Sequence, residues 1–400
     1  MKRLILSILL FVPMLLAAGP RESYYPFIRA SLNVLEKPAG ASPTYDIFLG
    51  KLDTLLRTGG GDVRVLHVGG SHVQGGTLSD RLRTHFLSLR YGMDGGRGLV
   101  FPFSAAGTNT PISYSSSYSG TWESATCLKP GNASLGVSGM AVTARDTSAR
   151  VTIDLLPRDK RMMQHRYTIR TVDLLGEGTL EPVLLLGPKD TLSGIKGHFV
   201  LPYYMDWVQV AFRGTGSYTL RGLYLDRPGT GFTFSEAGVN GAATTSWLRC
   251  DLWEKDLRRL MPDLVIFSIG INDIQGADFD VARFKQHYRE LIKKVRRVNP
   301  RCAILFTGIN DSWRRHGVNE HTESVESAFR ELARECTGVF WDWYAVMGGH
   351  GSMALWLDAG LAQGDKVHFT PLGYRVLGDL LFEAIMDSYS ARYFPPLGVL

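Results

Sequence analysis

Hydrophobic and polar positions follow two rhythms along the chain. Residues 63–70, VRVLHVGG, form a short, nearly continuous apolar run, as expected of a strand buried on both faces. The next segment, TLSDRLRTHFLSLR, spaces Leu78, Leu82, Phe86 and Leu89 at helical intervals behind Thr77, its expected cap. The same alternation returns later in LVIFSIG (264–270), CAILFTG (302–308) and GVFWDW (338–343), which read as strands. Between and after them, DVARFKQHYRELIKKVRRVNP, HTESVESAFRELAREC and PLGYRVLGDLLFEAIMDSY read as helices, the last opened by Pro371. Apolar strands separated by amphipathic helices predict an α/β fold with a mostly parallel sheet covered on both faces.

From about 105 to 230 the rhythm shortens. ARVTIDLL, HRYTIRTVDLL, EPVLLLG, DWVQVAF and YTLRGLYL read as antiparallel strands, with no convincing helix among them. An amphipathic stretch, IFLGKLDTLL, closed by GGGD at 59–62, precedes the first buried strand. The expected organisation is an N-terminal helical segment (20–60), a first part of the α/β domain (61–104), an all-β insert (105–230) and a second part (231–400).

The first 19 residues stand apart. MKRLILSILLFVPMLLAAG has a positive start, an apolar stretch broken by Pro13 and small residues at its end, which is the layout of a secretory signal peptide. Its apolar run is shorter than the ~20 residues of a spanning helix, so the expectation is a secreted or periplasmic protein without a stable membrane span. The net charge of +6 comes from scattered basic residues, so no nucleic-acid partner is expected. Lys285, Lys293, Lys294, Arg296 and Arg297 read as the solvated side of a helix that buries Val281, Phe284, Tyr288, Leu291, Ile292 and Val295. Cys127, Cys250, Cys302 and Cys336 are too few and too dispersed for a disulfide framework or a zinc site. They read as buried thiols, with a Cys302–Cys336 pair as the alternative.

Candidate chemistry collects where the strands end, and in α/β sheets ligands bind at the carboxyl ends. The first strand runs into Gly69-Gly70-Ser71-His72, and LVIFSIG runs into Asn272 and Asp273. Gly238 and Gly241 bracket Val239 and Asn240 before a Thr- and Ser-rich helix start, and Asp365 precedes His368 by three residues in a polar turn. A serine nucleophile needs a base, the base needs a carboxylate to hold its tautomer, and the tetrahedral intermediate needs donors for its oxyanion. These residue types supply all three.

Four segments, GGSH at 69–72, GVNGA at 238–242, GIND at 270–273 and DKVH at 365–368, resemble in order the four blocks of the SGNH (GDSL-type) hydrolases. Gly70-Ser71-His72 with Gln74, and the all-β insert between the first two blocks, look most like extracellular esterases that remove O-acetyl groups from peptidoglycan or other polysaccharides. The resemblance implies a three-layer, flavodoxin-like fold interrupted by a jelly-roll-like insert. It also implies Ser71 as nucleophile, His368 as base and then acid, and Asp365 as the residue orienting it. The oxyanion donors would be the backbone N–H groups of Ser71 and Gly241 and the amide of Asn272, with Gly238 the less suited alternative to Gly241. No cofactor or metal is expected. Gly70 stands where most members have aspartate, and a turn adapted to glycine would place it at φ > 0.

Other residues have simpler readings. His67 reads as a hydrogen-bonded core histidine, His72 as support for the loop, and Asp273 as the cap of its following turn. Asp342 is the rival carboxylate for His368. Tyr114, Tyr118, Trp122, Tyr203, Tyr204 and Trp207 divide between the insert's core and a surface for sugar rings. The expected function is an exported serine esterase deacylating a cell-wall or other polysaccharide. The alternatives are a lipase or acyl-esterase for small esters, and a non-catalytic glycan-binding module on a decayed scaffold. The oligomeric state is not legible.

Overall fold

The computed structural model describes residues 25–395 apart from 130, 132–133, 157–164, 189, 277 and 316. The expected signal peptide, residues 1–19, lies outside the described residues. Its central sheet runs, edge to edge, through Leu35–Glu36, Val339–Trp341, Ala303–Phe306, Leu264–Ser268, Asp62–Gly69 and Gly231–Gly238. All neighbours are parallel except the edge pair Leu35–Glu36 and Val339–Trp341.

The period-2 geometry of strands assigns successive side chains to opposite faces, which explains why these strands read as unbroken apolar runs. Val63, Val65, Leu264, Ile266, Ala303 and Leu305 feed one core, shared with the helices Pro43–Thr58, Thr77–Ser88 and Pro371–Tyr393. Leu66, Val68, Val265, Phe267, Ile304 and Phe306 feed the other, under Trp253–Leu260, Val281–Val298 and Thr322–Glu335. The result is a three-layer α/β fold. Thr77 turns out to be the first helical residue: Gly76, at φ +80°, occupies the cap position with no side-chain bond.

The insert builds two antiparallel sheets. One runs Thr191–Ser193, Glu181–Leu185, Trp207–Arg213, Arg150–Asp154, Ser115–Ser119; the other runs His198–Met205, Ile169–Gly178, Tyr218–Asp226, Met140–Ala144, Trp122–Thr126, with Gly98–Val100 also paired to Tyr218–Asp226. That three-residue strand lies ahead of the expected boundary at 105. Buried insert residues such as Val142, Val151, Val172 and Leu220 are continuous with the second core.

Gly231–Gly238 is a central-sheet strand that the sequence pattern conceals. Its polar residues are buried under the insert: Ser235 Oγ accepts from the N–H of Leu99 at 3.1 Å, and Glu236 Oε1 accepts from Arg97 at 2.7 Å. Burial alone would raise the Glu236 carboxyl, but Arg83 and Arg97 outweigh it and hold the group below its ordinary value.

All four cysteines are free thiols, so the alternative Cys302–Cys336 pair is not formed. The basic stripe is engaged locally: Lys285 pairs with Glu331, Arg297 with Glu254, and Lys294 donates to the carbonyl of Cys250. Among the described residues, no helix is long and apolar enough to cross a membrane.

Candidate active site

Strand register brings the candidate segments together. Gly238, Gly69 and Ser268 lie in one row across three adjacent strands, with Gly69 paired to both neighbours. The short turns that follow, Ser71–Gln74, residues 239–242 and Ile271–Gln275, therefore leave the sheet at one level. Two of them nearly touch: a Cβ added to Gly238 would lie 2.2 Å from the backbone nitrogen of Gln74, so only glycine allows this approach.

His368 reaches the same edge from the loop ahead of the last helix. Its Nε2 lies 2.7 Å from Ser71 Oγ, and its Nδ1 lies 2.7 Å from Asp365 Oδ2. Asp365 Oδ1 accepts the backbone N–H groups of Val367 at 3.0 Å and His368 at 2.9 Å, so one carboxylate both shapes the loop and faces the imidazole. Burial works against the Asp365 charge, but these bonds together hold the carboxyl below its ordinary value. Asp342 is elsewhere, bonded to Arg330 and capping Ala345.

Asn272 donates through Nδ2 to the carbonyl of Ala242 at 3.0 Å. A primary amide carries two N–H groups, so this bond orients Asn272 and leaves one donor for a ligand oxygen. Asp273 accepts its own backbone N–H within the first turn of Ile271–Gln275 and also reaches out of that turn. It accepts from the N–H of Thr244, and from its hydroxyl at 2.6 Å, tying the strand end to the helix Thr244–Leu248. Burial raises its carboxyl to about 6 against those bonds. Gly241 takes φ +79° in the exposed turn beside Asn240.

Gly70 is not in the left-handed region: its φ is −92° and its ψ −139°. The obstacle to a side chain there is steric instead, because an added Cβ would lie 3.0 Å from Asn272 Nδ2.

The other histidines have defined partners. His67 is buried between Ser79 and Ser268, at 2.9 and 2.7 Å, and burial lowers its imidazole to about 4. His72 Nδ1 lies 2.7 Å from the Tyr374 hydroxyl, and its ring centroid is 5.4 Å from that of His368. Burial, then the neighbouring His368, push His72 down to about 3. Neutral at ordinary pH, it adds no charge to oppose a protonated His368.

Sequence reasoning passed over Asn310. Residues 308–311 repeat Gly-Ile-Asn-Asp after the neighbouring strand Ala303–Phe306, and that repetition was the available signal. Asn310 is fully buried and donates to the carbonyls of Asp311 and Val367, at 2.8 and 3.1 Å, bracing the loop that carries His368. Among the insert aromatics, Tyr114 is buried, Trp122 packs on Phe212, and Tyr118, Tyr203 and Tyr204 are each about half exposed.

An alcohol, an imidazole and a carboxylate in series can perform acyl transfer. Residues 208–376 match the GDSL-like lipase/acylhydrolase family, a span that holds Gly241, Asn272, Asp365 and His368 and begins after Ser71. The fold matches a structure described as a peptidoglycan O-acetylesterase in action at 5 min, with a TM-score of 0.74 and 25% identity over 89% of this chain and 99% of that one. An acetyl xylan esterase, AlAXEase, overlaps 38% of this chain and 81% of its own at 20% identity and a TM-score of 0.32. The lipase/acylhydrolase from Enterococcus faecalis overlaps 40% and 77% at 19% identity and a TM-score of 0.32. No curated protein sequence matches the chain.

Proposed function

We propose that this chain is an SGNH-type carboxylic ester hydrolase, an exported O-acetylesterase acting on peptidoglycan or a related acetylated polysaccharide. Ser71 is its nucleophile. The observation that carries this reading is the unbroken series from Ser71 Oγ through His368 to Asp365, with both links at 2.7 Å. His368 Nε2 takes the proton as Ser71 Oγ bonds to the acetyl carbonyl carbon. The resulting oxyanion meets the N–H groups of Ser71 and Gly241 and the free N–H of Asn272. When the intermediate collapses, His368 returns the proton to the departing sugar oxygen, leaving acetyl-Ser71. Water, deprotonated by the same imidazole, then releases acetate and restores the serine. A base positioned in this way typically contributes ~10²–10⁴-fold.

The substrate reading is supported by the near-full-length match to the peptidoglycan O-acetylesterase structure. It also fits the signal-like residues 1–19 and the half-exposed Tyr118, Tyr203 and Tyr204 of the insert, whose flat faces suit sugar rings. The test measures acetate released from O-acetylated peptidoglycan, O-acetylated xylan and an aryl acetate by the parent and by Ser71→Ala. Release fastest from peptidoglycan, and abolished in a folded Ser71→Ala, is expected. Faster release from xylan would overturn the substrate, and turnover by Ser71→Ala would overturn the nucleophile.

A further inference from the structure

Gln74 is 1% exposed, and its side-chain amide is engaged at both ends. Its Oε1 accepts the backbone N–H of Asn240 at 2.7 Å. Its Nε2 donates to Thr108 Oγ1 at 3.1 Å and to the carbonyl and Oδ1 of Asn109 at 3.0 and 3.1 Å. Asn109 Oδ1 accepts a second bond, from Asn240 Nδ2 at 2.7 Å. Three segments far apart in sequence thus meet at one buried amide: the Ser71–Gln74 turn, the 239–242 turn, and the loop between the insert strands Gly98–Val100 and Ser115–Ser119.

The direction of these bonds matters for the chemistry. Gln74 occupies the Asn240 N–H, which leaves the next donor along the chain, Gly241 N–H, as the one for an oxyanion. Preorganised donors are effective because they need not reorient as charge develops. A turn free to rotate at Gly241, at φ +79° and exposed, would lose that advantage unless held from both sides. Gln74 holds it through the backbone and Asn109 through the Asn240 side chain.

We infer that Gln74 and Asn109 form a clamp that fixes the oxyanion turn, so that the β insert completes the active site as well as adjoining it. Both are positioning residues: neither touches the reacting atoms. This inference rests on the proposed role of Gly241 and Asn272 as oxyanion donors.

The test is steady-state kinetics on an aryl acetate, with thermal melting, for Asn109→Leu, Asn109→Asp, Gln74→Met and Asn272→Ala. Displacing a donor costs less than deleting one, which typically lowers kcat ~10²–10³-fold. Asn109→Leu should therefore lower kcat about tenfold and leave KM within about twofold, since the loss is confined to the transition state. Asn109→Asp keeps an acceptor oxygen for Asn240 and should recover kcat to within about threefold of the parent. Gln74→Met should lower kcat further than Asn109→Leu, and the exposed Asn109 pair decides the matter if Gln74→Met does not fold. Parent-like kcat in Asn109→Leu, with kcat collapsed in Asn272→Ala, overturns the clamp and leaves the oxyanion reading standing. Parent-like kcat in Asn272→Ala overturns the reading beneath it. A rise in KM alone in Asn109→Leu assigns the residue to substrate binding and overturns its positioning role.

Discussion

Asp365→Asn separates the charge of the carboxylate facing His368 from its structural work. Oδ1 receives two backbone N–H groups, whereas Oδ2 faces His368 Nδ1. An asparagine with its oxygen at the Oδ1 position keeps both backbone bonds, so the loop survives. Its NH₂ then meets Nδ1 with a donor in place of an acceptor, and the negative charge is gone. Opposite unit charges ~4 Å apart attract by about 1 kcal/mol in water and about 4 kcal/mol at an effective dielectric of 20. The Asp365 and His368 side chains are 47% and 33% exposed, so their interaction falls between those limits, at about 2–3 kcal/mol. At about 1.36 kcal/mol per tenfold, kcat/KM should fall about 30- to 150-fold, well short of the ~10⁴ loss for a buried triad aspartate. Initial rates on an aryl acetate near neutral pH, paired with a melting curve, give the comparison. A variant within about threefold of the parent would refute the electrostatic role; a large drop in Tm would refute the claim that the loop bonds survive. Because the folded Asp365 carboxyl is held low, its contribution to stability is fully present above the ordinary carboxylate range and is lost as pH falls through the lowered value.

Asn272→Ala removes one of the proposed oxyanion donors and should lower kcat ~10²–10³-fold with little change in KM; a change confined to KM would contradict that role. Gly70→Ala puts a methyl 3.0 Å from Asn272 Nδ2. The amide must yield by a few tenths of an ångström, and kcat should fall about 3- to 30-fold at nearly unchanged Tm. Gly70→Asp, which brings in the larger side chain that most SGNH hydrolases carry there, should hurt at least as much, and a variant as active as the parent would contradict the steric account. His67 has its folded value lowered to about 4, so it stabilises the fold above its ordinary value of ~6.5, and that stability is lost as pH falls from there toward the lowered value. His67→Asn cannot take up the proton, so it should flatten the fall in Tm over that acid window even if Tm at neutral pH is lower; an unchanged slope would contradict the assignment.

The sequence made legible what periodicity and local chemistry carry. The strands 62–69, 264–268 and 303–306 are apolar on both faces because helices or the insert cover both, and a buried parallel strand has no polar side to disguise it. Gly231–Gly238 escaped because FTFSEAG alternates as a half-exposed strand would. Its Ser235 and Glu236 side chains are tolerated in the interior because Leu99, Arg83 and Arg97 arrive from distant segments to bond them. Asp365 and His368 were readable from their spacing of three residues, since a short loop forces them together. The bonds that join Gln74 to Thr108, Asn109 and Asn240, and Asn310 to Val367, span 34 to 166 residues, so a local motif can mark Gln74 or Asn310 without showing what it holds. Thr77 was misplaced by one position, because the residue before it is a glycine able to adopt the left-handed conformation that opens this helix.

The central claim is that Ser71 is an activated nucleophile, and its most direct test is covalent capture. The folded protein is treated with a fluorophosphonate, digested, and the modified peptide identified by mass. A single adduct is expected on the peptide containing Ser71, with none when His368 is replaced by alanine over the same interval. An adduct on another serine, or none on folded parent protein, would contradict it.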